Sequence, residues 1–519
     1  MIKKFMAPAR YISMMLALAV IAPSCTDDLE RVPTNGITNE IQFKDLAGYK
    51  QAMATVYSQL SAGYFLRNYF NMQEVTTDEA VATWDDPAGL RTFNTMDWNA
   101  DNGAVSAFYG MVMYNITVAN NFLMESTPET VARRGLSEAD QTEVKQYVNE
   151  MRFLRAYYYW LMLDLYGNPP FATETNLITG NAPEQISQAE LFDFIESELL
   201  ACQDGLAEPR TNEYGRADKG AAWALLARLY LNAETYTETG HYTEAATFSK
   251  RVIDAGYSLE QQYGWLLLGD NHLNTNEFIF TANYNNSNFT TFGGTNYIAL
   301  GASNVPRAIN GLSDSWTFLR VRPQFANLFP TFDTTVDKRA QFWTGSNTLE
   351  IDNLSNSSAG YAMTKYRNLT RNGDVIPQEN VYSNISDIDF PIFRLAEMYL
   401  IYAEATLRGG SGDRTLALGY INKIRGRAYA NNPDSSLGNI ASSDLTLDFI
   451  IDERARELYW ECFRRTDLIR FDRYTSGSYL WSWKGGVQEG AATNARYELF
   501  PLPTSDVLAN RNLEQNTGY

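Results

Sequence analysis

From Arg216 to Gly256 the sequence runs RADKGAAWALLARLYLNAETYTETGHYTEAATFSKRVIDAG, and its small side chains fall where two helices would have to touch. Ala217, Ala221, Ala224 and Leu231 recur at helical spacing, with Leu225, Leu226 and Leu229 filling the space beside them. After a polar break at 235–240, Tyr242, Ala245, Ala246, Ser249, Val252 and Ile253 follow the i, i+3, i+4, i+7, i+10, i+11 series of one buried helical face. Gly256 then supplies a stop. The pattern predicts a hairpin of two helices with an alanine-lined seam. One such pair cannot bury its own outer face, so other hairpins are required elsewhere in the chain.

The unit is similar to a tetratricopeptide repeat with a longer loop. Helical periodicity also marks Phe43 to Leu60, Ala104 to Met124, Glu138 to Leu165 and Gln188 to Cys202, the last with Ser187 and Glu190 placed as a capping box. It returns at Ile392 to Arg408, Thr415 to Ala430 and Leu447 to Tyr474. Between them, Tyr257 to Pro391 alternates short apolar segments with runs of Asn, Ser, Thr and Gly, which predicts loops and a few short strands. The fold class is therefore mainly α, with helical hairpins flanking an irregular lobe. We divide the chain into a leader at 1–24, a tether at 25–42, a helical region at 43–256 that contains an aperiodic aromatic stretch at 63–102, the irregular lobe at 257–391, and helical hairpins with a tail at 392–519.

The leader opens with Lys3, Lys4 and Arg10, continues in the apolar run Ile12 to Ala22 and reaches Pro23-Ser24-Cys25. This is a secretory signal too short to span a bilayer, and it resembles a bacterial lipoprotein signal that would leave Cys25 lipidated. Ala22 and Pro23 depart from the strict lipobox, so ordinary cleavage nearby is the alternative. Cys202 and Cys462 lie in separate helical, apolar contexts, which favours buried thiols over a disulfide.

The formal charge of −19 repels nucleic acid and anionic membrane and leaves neutral or cationic partners easier to accept. The chain holds 2 histidines, His241 and His272, neither beside a second ligand at metal-binding spacing, which argues against zinc chemistry and a Ser-His-Asp triad. No cofactor or metal is expected. Asp97 to Gly103 imitates the start of a calcium loop, but Asn102 stands where that loop needs Gly and Phe108 where it needs Glu; capping of the next helix is the simpler reading. Adjacent Asp85 and Asp86 near a tryptophan do not supply the separated carboxylates of a glycosidase. More telling are Trp84 and Trp316, which sit in polar stretches without periodic apolar neighbours to bury them. A flat ring offers a stacking face to the C–H side of a pyranose, and nearby Asn, Asp or Arg can bond its hydroxyls.

Several long segments carry a family resemblance: Thr77-Asp78-Glu79 before Trp84, RADKGAAWALLARLYLNAETY at 216–236, PIFRLAEMYLIYAEA at 391–405, IDERARELYWECFRRTDLIRF at 451–471, YLWSWKGG at 479–486 and the terminal FPLPTSDVLANRNLEQNTGY. On these the chain resembles the SusD/RagB family of Bacteroidetes outer-membrane glycan-binding lipoproteins over nearly its whole mature length. The resemblance implies tetratricopeptide-like hairpins packed against an irregular lobe that carries the ligand site. It also implies no catalysis, an extracellular-facing lipid anchor and partnership with a SusC-like TonB-dependent transporter. Carried residue by residue, the aromatic arc of the starch-binding member falls on Trp84, Phe292 and Trp316, and its hydrogen-bonding arginine on Arg67. Phe292 replaces a Tyr, Ala82 replaces a further Trp, and Pro87 replaces a sugar-binding Asn. Hydroxyl contacts would then move to Asp85, Asp86 or Asn288. The expected function is capture of starch or a related α-glucan, with the alanine hairpin as rigid backing turned toward the transporter. Binding of a different glycan, or a docking lid with a degenerate sugar site, are the alternatives.

Overall fold

The computed structural model describes residues 38–84, 89–176, 181–287, 290–302, 304–313, 315–345, 347–379 and 384–519. The principal helices are α1 (Leu46–Ser58), α2 (Phe65–Phe70), α3 (Gly103–Glu125), α4 (Glu138–Tyr166), α5 (Gln188–Cys202), α6 (Lys219–Leu231), α7 (Tyr242–Asp254), α8 (Leu395–Leu407), α9 (Arg414–Ala430), α10 (Leu447–Leu458) and α11 (Arg464–Arg470). Their starts follow from local chemistry. Asn102 Oδ1 accepts from the amides of Ala104 at 3.0 Å and Val105 at 3.1 Å, so the calcium-like segment is a helix cap. Ser187 and Glu190 form the complete capping box of α5. Asp218 caps α6, which leaves Ala217 just ahead of the helix.

Helices pack in sequence order until α7: α3 on α4, α4 on α5, α6 on α7. The next partner of α7 is α8, which begins 141 residues after α7 ends. The hairpin seam is what permits this. Ala221, Ala224, Ala245 and Ala246 are buried, so α6, α7 and α8 approach closely and exclude water along the contact. Leu225, Leu226 and Leu229 are fully buried beside them, each burial stabilising by about 1.5–3 kcal/mol. The alanine face therefore meets other helices of the same chain.

Four predicted elements differ. The lobe at 257–391, predicted as loops and a few short strands, also holds short helices at Thr295–Gly301, Arg307–Asn310 and Pro323–Ala326. The stretch 63–102, read as aperiodic, contains α2, a π-helical turn at Asn71–Val75 and strand β1 (Ala80–Ala82). Every residue of α2 except Arg67 is buried, so a single partly exposed position is all that marks a polar face and no period can be read from it. The predicted helix from Ile392 starts later, because 390–394 form a strand. The long helix predicted over 447–474 breaks after Leu458, with Trp460 and Cys462 at positive φ. Side chains satisfy the freed backbone: the Trp460 amide donates to Glu79 Oε2 at 3.0 Å, the Phe463 amide to Glu74 Oε1 at 3.1 Å, and Lys365 Nζ to the Tyr459 carbonyl at 2.7 Å.

The remaining strands are β2 (Phe278–Ala282), β3 (Leu319–Val321), β4 (Phe342–Trp343), β5 (Ala362–Met363) and β6 (Phe390–Arg394). They form antiparallel pairs β1–β3, β2–β6 and β4–β5. The β2–β6 pair brings the two ends of the intervening segment together, and buried charges lock it to the helices. Arg394 meets Glu277 at 3.0 Å and both Glu457 and Glu461 at 2.7 Å, and Arg427 meets Glu277 at 2.7 Å. One apolar core runs through helices α1–α11 and the intervening rings Tyr297, Phe318 and Phe325. Cys202 and Cys462 are buried free thiols.

Candidate functional site

The β1–β3 register pairs Ala80 with Val321, Val81 with Arg320 and Ala82 with Leu319. Continued past its end, the same register sets Trp84 opposite Thr317, so two chain segments far apart in sequence bring Trp84 and Trp316 together. The ribbon is held on its outer side as well. Asn94 imitates a strand: its Oδ1 accepts from the Ala82 amide at 2.9 Å and its Nδ2 donates to the Ala82 carbonyl at 2.7 Å. Arg322, fully buried, donates Nε to the Ala80 carbonyl at 2.9 Å.

Three rings follow one another across the surface. Phe292 and Trp316 have centroids 6.1 Å apart and planes inclined by 43°; Trp316 and Trp84 are 5.9 Å apart and inclined by 32°. The rings thus do not share one plane. Buried Phe318 stacks beneath Trp84 at 4.0 Å and 21°, and Tyr297 lies 4.9 Å from Phe318, so the exposed rings rest on aromatic support. Phe292 is 36% exposed, and Trp84 and Trp316 are half-buried, which leaves part of each available to a ligand.

Arg67 closes one end of the arc. Its guanidinium lies 5.0 Å from the ring centres of Tyr64 and Tyr297, and its backbone amide donates to the Gly293 carbonyl at 2.9 Å. The loop carrying Phe292 can reach this segment because Gly293 has no side chain: a Cβ there would stand 2.2 Å from the Gly63 carbonyl oxygen. Thr291 Oγ1 donates to that same carbonyl at 2.7 Å, which ties the two loops together.

Behind the ribbon lies a buried ion pair. Arg464 donates Nε to Asp78 Oδ1 and Nη2 to Asp78 Oδ2, both at 2.7 Å, and Tyr479 OH donates to Asp78 Oδ2 at 2.6 Å. Burial pushes the Asp78 carboxyl up, but the arginine outweighs it and holds the group below its ordinary range. Glu74 and Glu79 are raised by burial, Glu79 further by the charge of Glu74. These acids fix the backbone and face no surface.

Of the residues singled out from sequence, Trp84, Phe292, Trp316 and Arg67 come together. Asp85, Asp86, Asn288 and the lipidation residue Cys25 lie outside the described residues. Trp98, from the same stretch as Trp84, is core: it is 1% exposed and its Nε1 donates to Tyr519 OH at 2.8 Å. Sequence reasoning missed Tyr64, 49% exposed beside Arg67, and the supporting rings Phe318 and Tyr297. A run of alternate aromatics, Trp316 and Phe318, entering β3 was the available signal for the stacked support.

A helical array carrying a supported, ring-lined surface and buried acids devoted to structure defines a binding scaffold. Comparison with known proteins specifies it. A family profile described as "SusD family" matches residues 331–519, and one described as "Starch-binding associating with outer membrane" matches 38–231. The starch-binding protein SusD of Bacteroides thetaiotaomicron is 30% identical, over 98% of this chain and 99% of that protein. Among solved structures, a SusD homolog from Bacteroides thetaiotaomicron superposes with a TM-score of 0.74 at 19% identity, over 95% of this chain and all of that one. A laminarin binding SusD-like protein gives 0.71 at 20% identity, over 92% of this chain and all of that one. The chain belongs to the SusD family.

Proposed function

We propose that this chain is a non-catalytic glycan-binding lipoprotein, anchored through Cys25 on the outer face of the outer membrane, that captures starch or a related α-glucan and passes it to a SusC-like TonB-dependent transporter. The observation that carries the binding reading is the arc itself: three partly exposed rings, each inclined to the next, with an arginine at one end. An α-1,4-linked glucan turns from residue to residue, so rings that do not share a plane keep stacking contact where a flat platform would lose it. Arg67 offers donors to hydroxyls, with Asp85, Asp86 and Asn288 as proposed further partners. The family profile over 38–231 and the 30% identical starch-binding relative support the α-glucan and the outer-membrane site.

A second reading, capture of a different glycan, draws on Ala82. In the strand it is 1% exposed and clasped by Asn94, so the arc has no further ring where the starch-binding relative is expected to have one. A related fold is named for laminarin. Isothermal titration against maltoheptaose and a laminarin oligosaccharide separates the two. We expect a dissociation constant on the order of millimolar to micromolar for maltoheptaose, weakened at least about 10-fold by Trp84→Ala and by Trp316→Ala. Tighter binding of the laminarin oligosaccharide moves the assignment to the second reading, and unchanged binding in both variants removes the arc from the site.

A further inference from the structure

Beside the arc opens a hollow of about 410 Å³, within the range of ordinary ligand sites, lined among others by Lys50, Met53, Tyr57, Ser61, Tyr214 and Tyr284. It runs along α1 from Lys50 to Ser58, about 12 Å of helix. Its near end is the chain that leads into the site: Ser61 precedes Tyr64 by three residues, at most about 11 Å of backbone. Direct contacts make the connection from the other wall. Tyr214 OH donates to Asp389 Oδ2 at 2.8 Å, the Tyr284 amide donates to Asp389 Oδ1 at 2.7 Å, and the Tyr284 ring lies against Gly294, where a Cβ would come within 2.2 Å of it. Gly294 is two residues from Phe292. The hollow therefore lies next to the arc, joined to the loop of Phe292 through Asp389 and Tyr284.

Its chemistry suits a neutral, amphipathic chain. Tyr214 is 41% exposed yet fixed at its hydroxyl end, so its ring is held in a set orientation with little entropy left to lose. Met53, Leu60 and Tyr57 give an apolar floor, and Asn283 and Ser61 add neutral polar groups. The charged residues of the lining are paired: Arg216 with Glu150 at 2.5 Å, Lys50 with Glu213 at 3.5 Å. Nothing in this set favours an ionic ligand.

Building on the arc as the glycan site, we propose that the hollow is an extension subsite, in which a glycan long enough to overrun Phe292 and Tyr64 continues along α1 and stacks on Tyr214. The protein would then select for chain length: a short oligosaccharide is held by the arc alone, a longer one by both. The test is a titration of the purified protein with maltotriose and with maltoheptaose. Tyr214→Ala should weaken maltoheptaose about 3- to 10-fold and leave maltotriose unchanged. Ala54→Trp, at an exposed position of α1 that lines the hollow, should do the same by filling it without touching the core. Trp84→Ala should weaken both ligands. Equal effects of the Tyr214 and Ala54 variants on both lengths, or none on either, overturn the subsite while leaving the arc in place. Loss of neither ligand in Trp84→Ala overturns the arc and the subsite with it; no α-glucan binding by the unaltered protein overturns the α-glucan assignment and the subsite that rests on it.

Discussion

The α6–α7 hairpin takes its geometry from neighbours in sequence: Ala221 and Ala224, a turn apart, set how near the next helix can come, and Leu225 and Leu229 fill what remains. The arc takes its geometry from residues 67, 84, 292 and 316, which meet only because a three-residue ribbon, an asparagine side chain and a glycine loop bring them there. The hairpin's contacts are many, apolar and interchangeable, so damage to one is shared among the rest. The arc rests on two buried rings, Phe318 and Tyr297, and its segments are brought together by a few long-range polar contacts. A scaffold of the first kind tolerates a binding surface of the second kind, and the two should fail differently when disturbed.

The largest effect should come from the support of the arc. In Arg464→Ala the Asp78 carboxylate stays buried among protein atoms without its cation, and breaking a buried pair from one side costs about 3–5 kcal/mol. Urea unfolding measures that loss. Because Asp78 sits two residues before β1, glycan affinity should fall too at a temperature where the variant is still folded. A loss below about 1 kcal/mol would mean that Tyr479 alone satisfies Asp78.

The hairpin should respond with less and without any effect on the ligand. Ala224→Leu forces added carbon atoms into the fully buried seam, an overpacking cost of about 1–3 kcal/mol. Calorimetric melting should drop while glycan affinity in the folded protein is unchanged. An affinity change as large as that of Arg464→Ala would show that the seam and the arc move together, and the contrast between them would dissolve.

The same contrast explains what was legible before the structure. The boundaries of α5, the cap at Asn102 and the α6–α7 seam are local, and spacing alone carried them. The break at 459–463 was not legible, because its amides are satisfied by Glu74 and Glu79 from nearly four hundred residues away, and nothing nearby in sequence announces such partners. Nor was α2, which is buried at every residue but Arg67 and so shows no amphipathic period. Spacing pointed to Trp84 and Trp316 as unburied rings; it could not bring Phe292 and Arg67 to them, which came from family resemblance. Their meeting rests on β-register and on the close approach at Gly293, both long-range properties.

The smallest effect isolates that long-range joint. Thr291 Oγ1 donates to the Gly63 carbonyl at 2.7 Å and accepts from the Gly293 amide at 3.1 Å, so one hydroxyl couples the loop of Phe292 to the segment of Tyr64 and Arg67. Thr291→Val keeps the shape and removes the hydroxyl, which should cost about 1 kcal/mol of stability. Most of that loss falls on the loop, since the core beneath it, Phe318 and Tyr297, keeps its own contacts. Affinity for maltoheptaose should therefore drop about 2- to 5-fold, more than the melting shift alone would suggest, because Phe292 no longer arrives pre-positioned against Trp316. Stability lost with affinity intact would mean that Phe292 stacks without guidance from this hydroxyl, and the bond from the Arg67 amide to the Gly293 carbonyl would then suffice to place the loop.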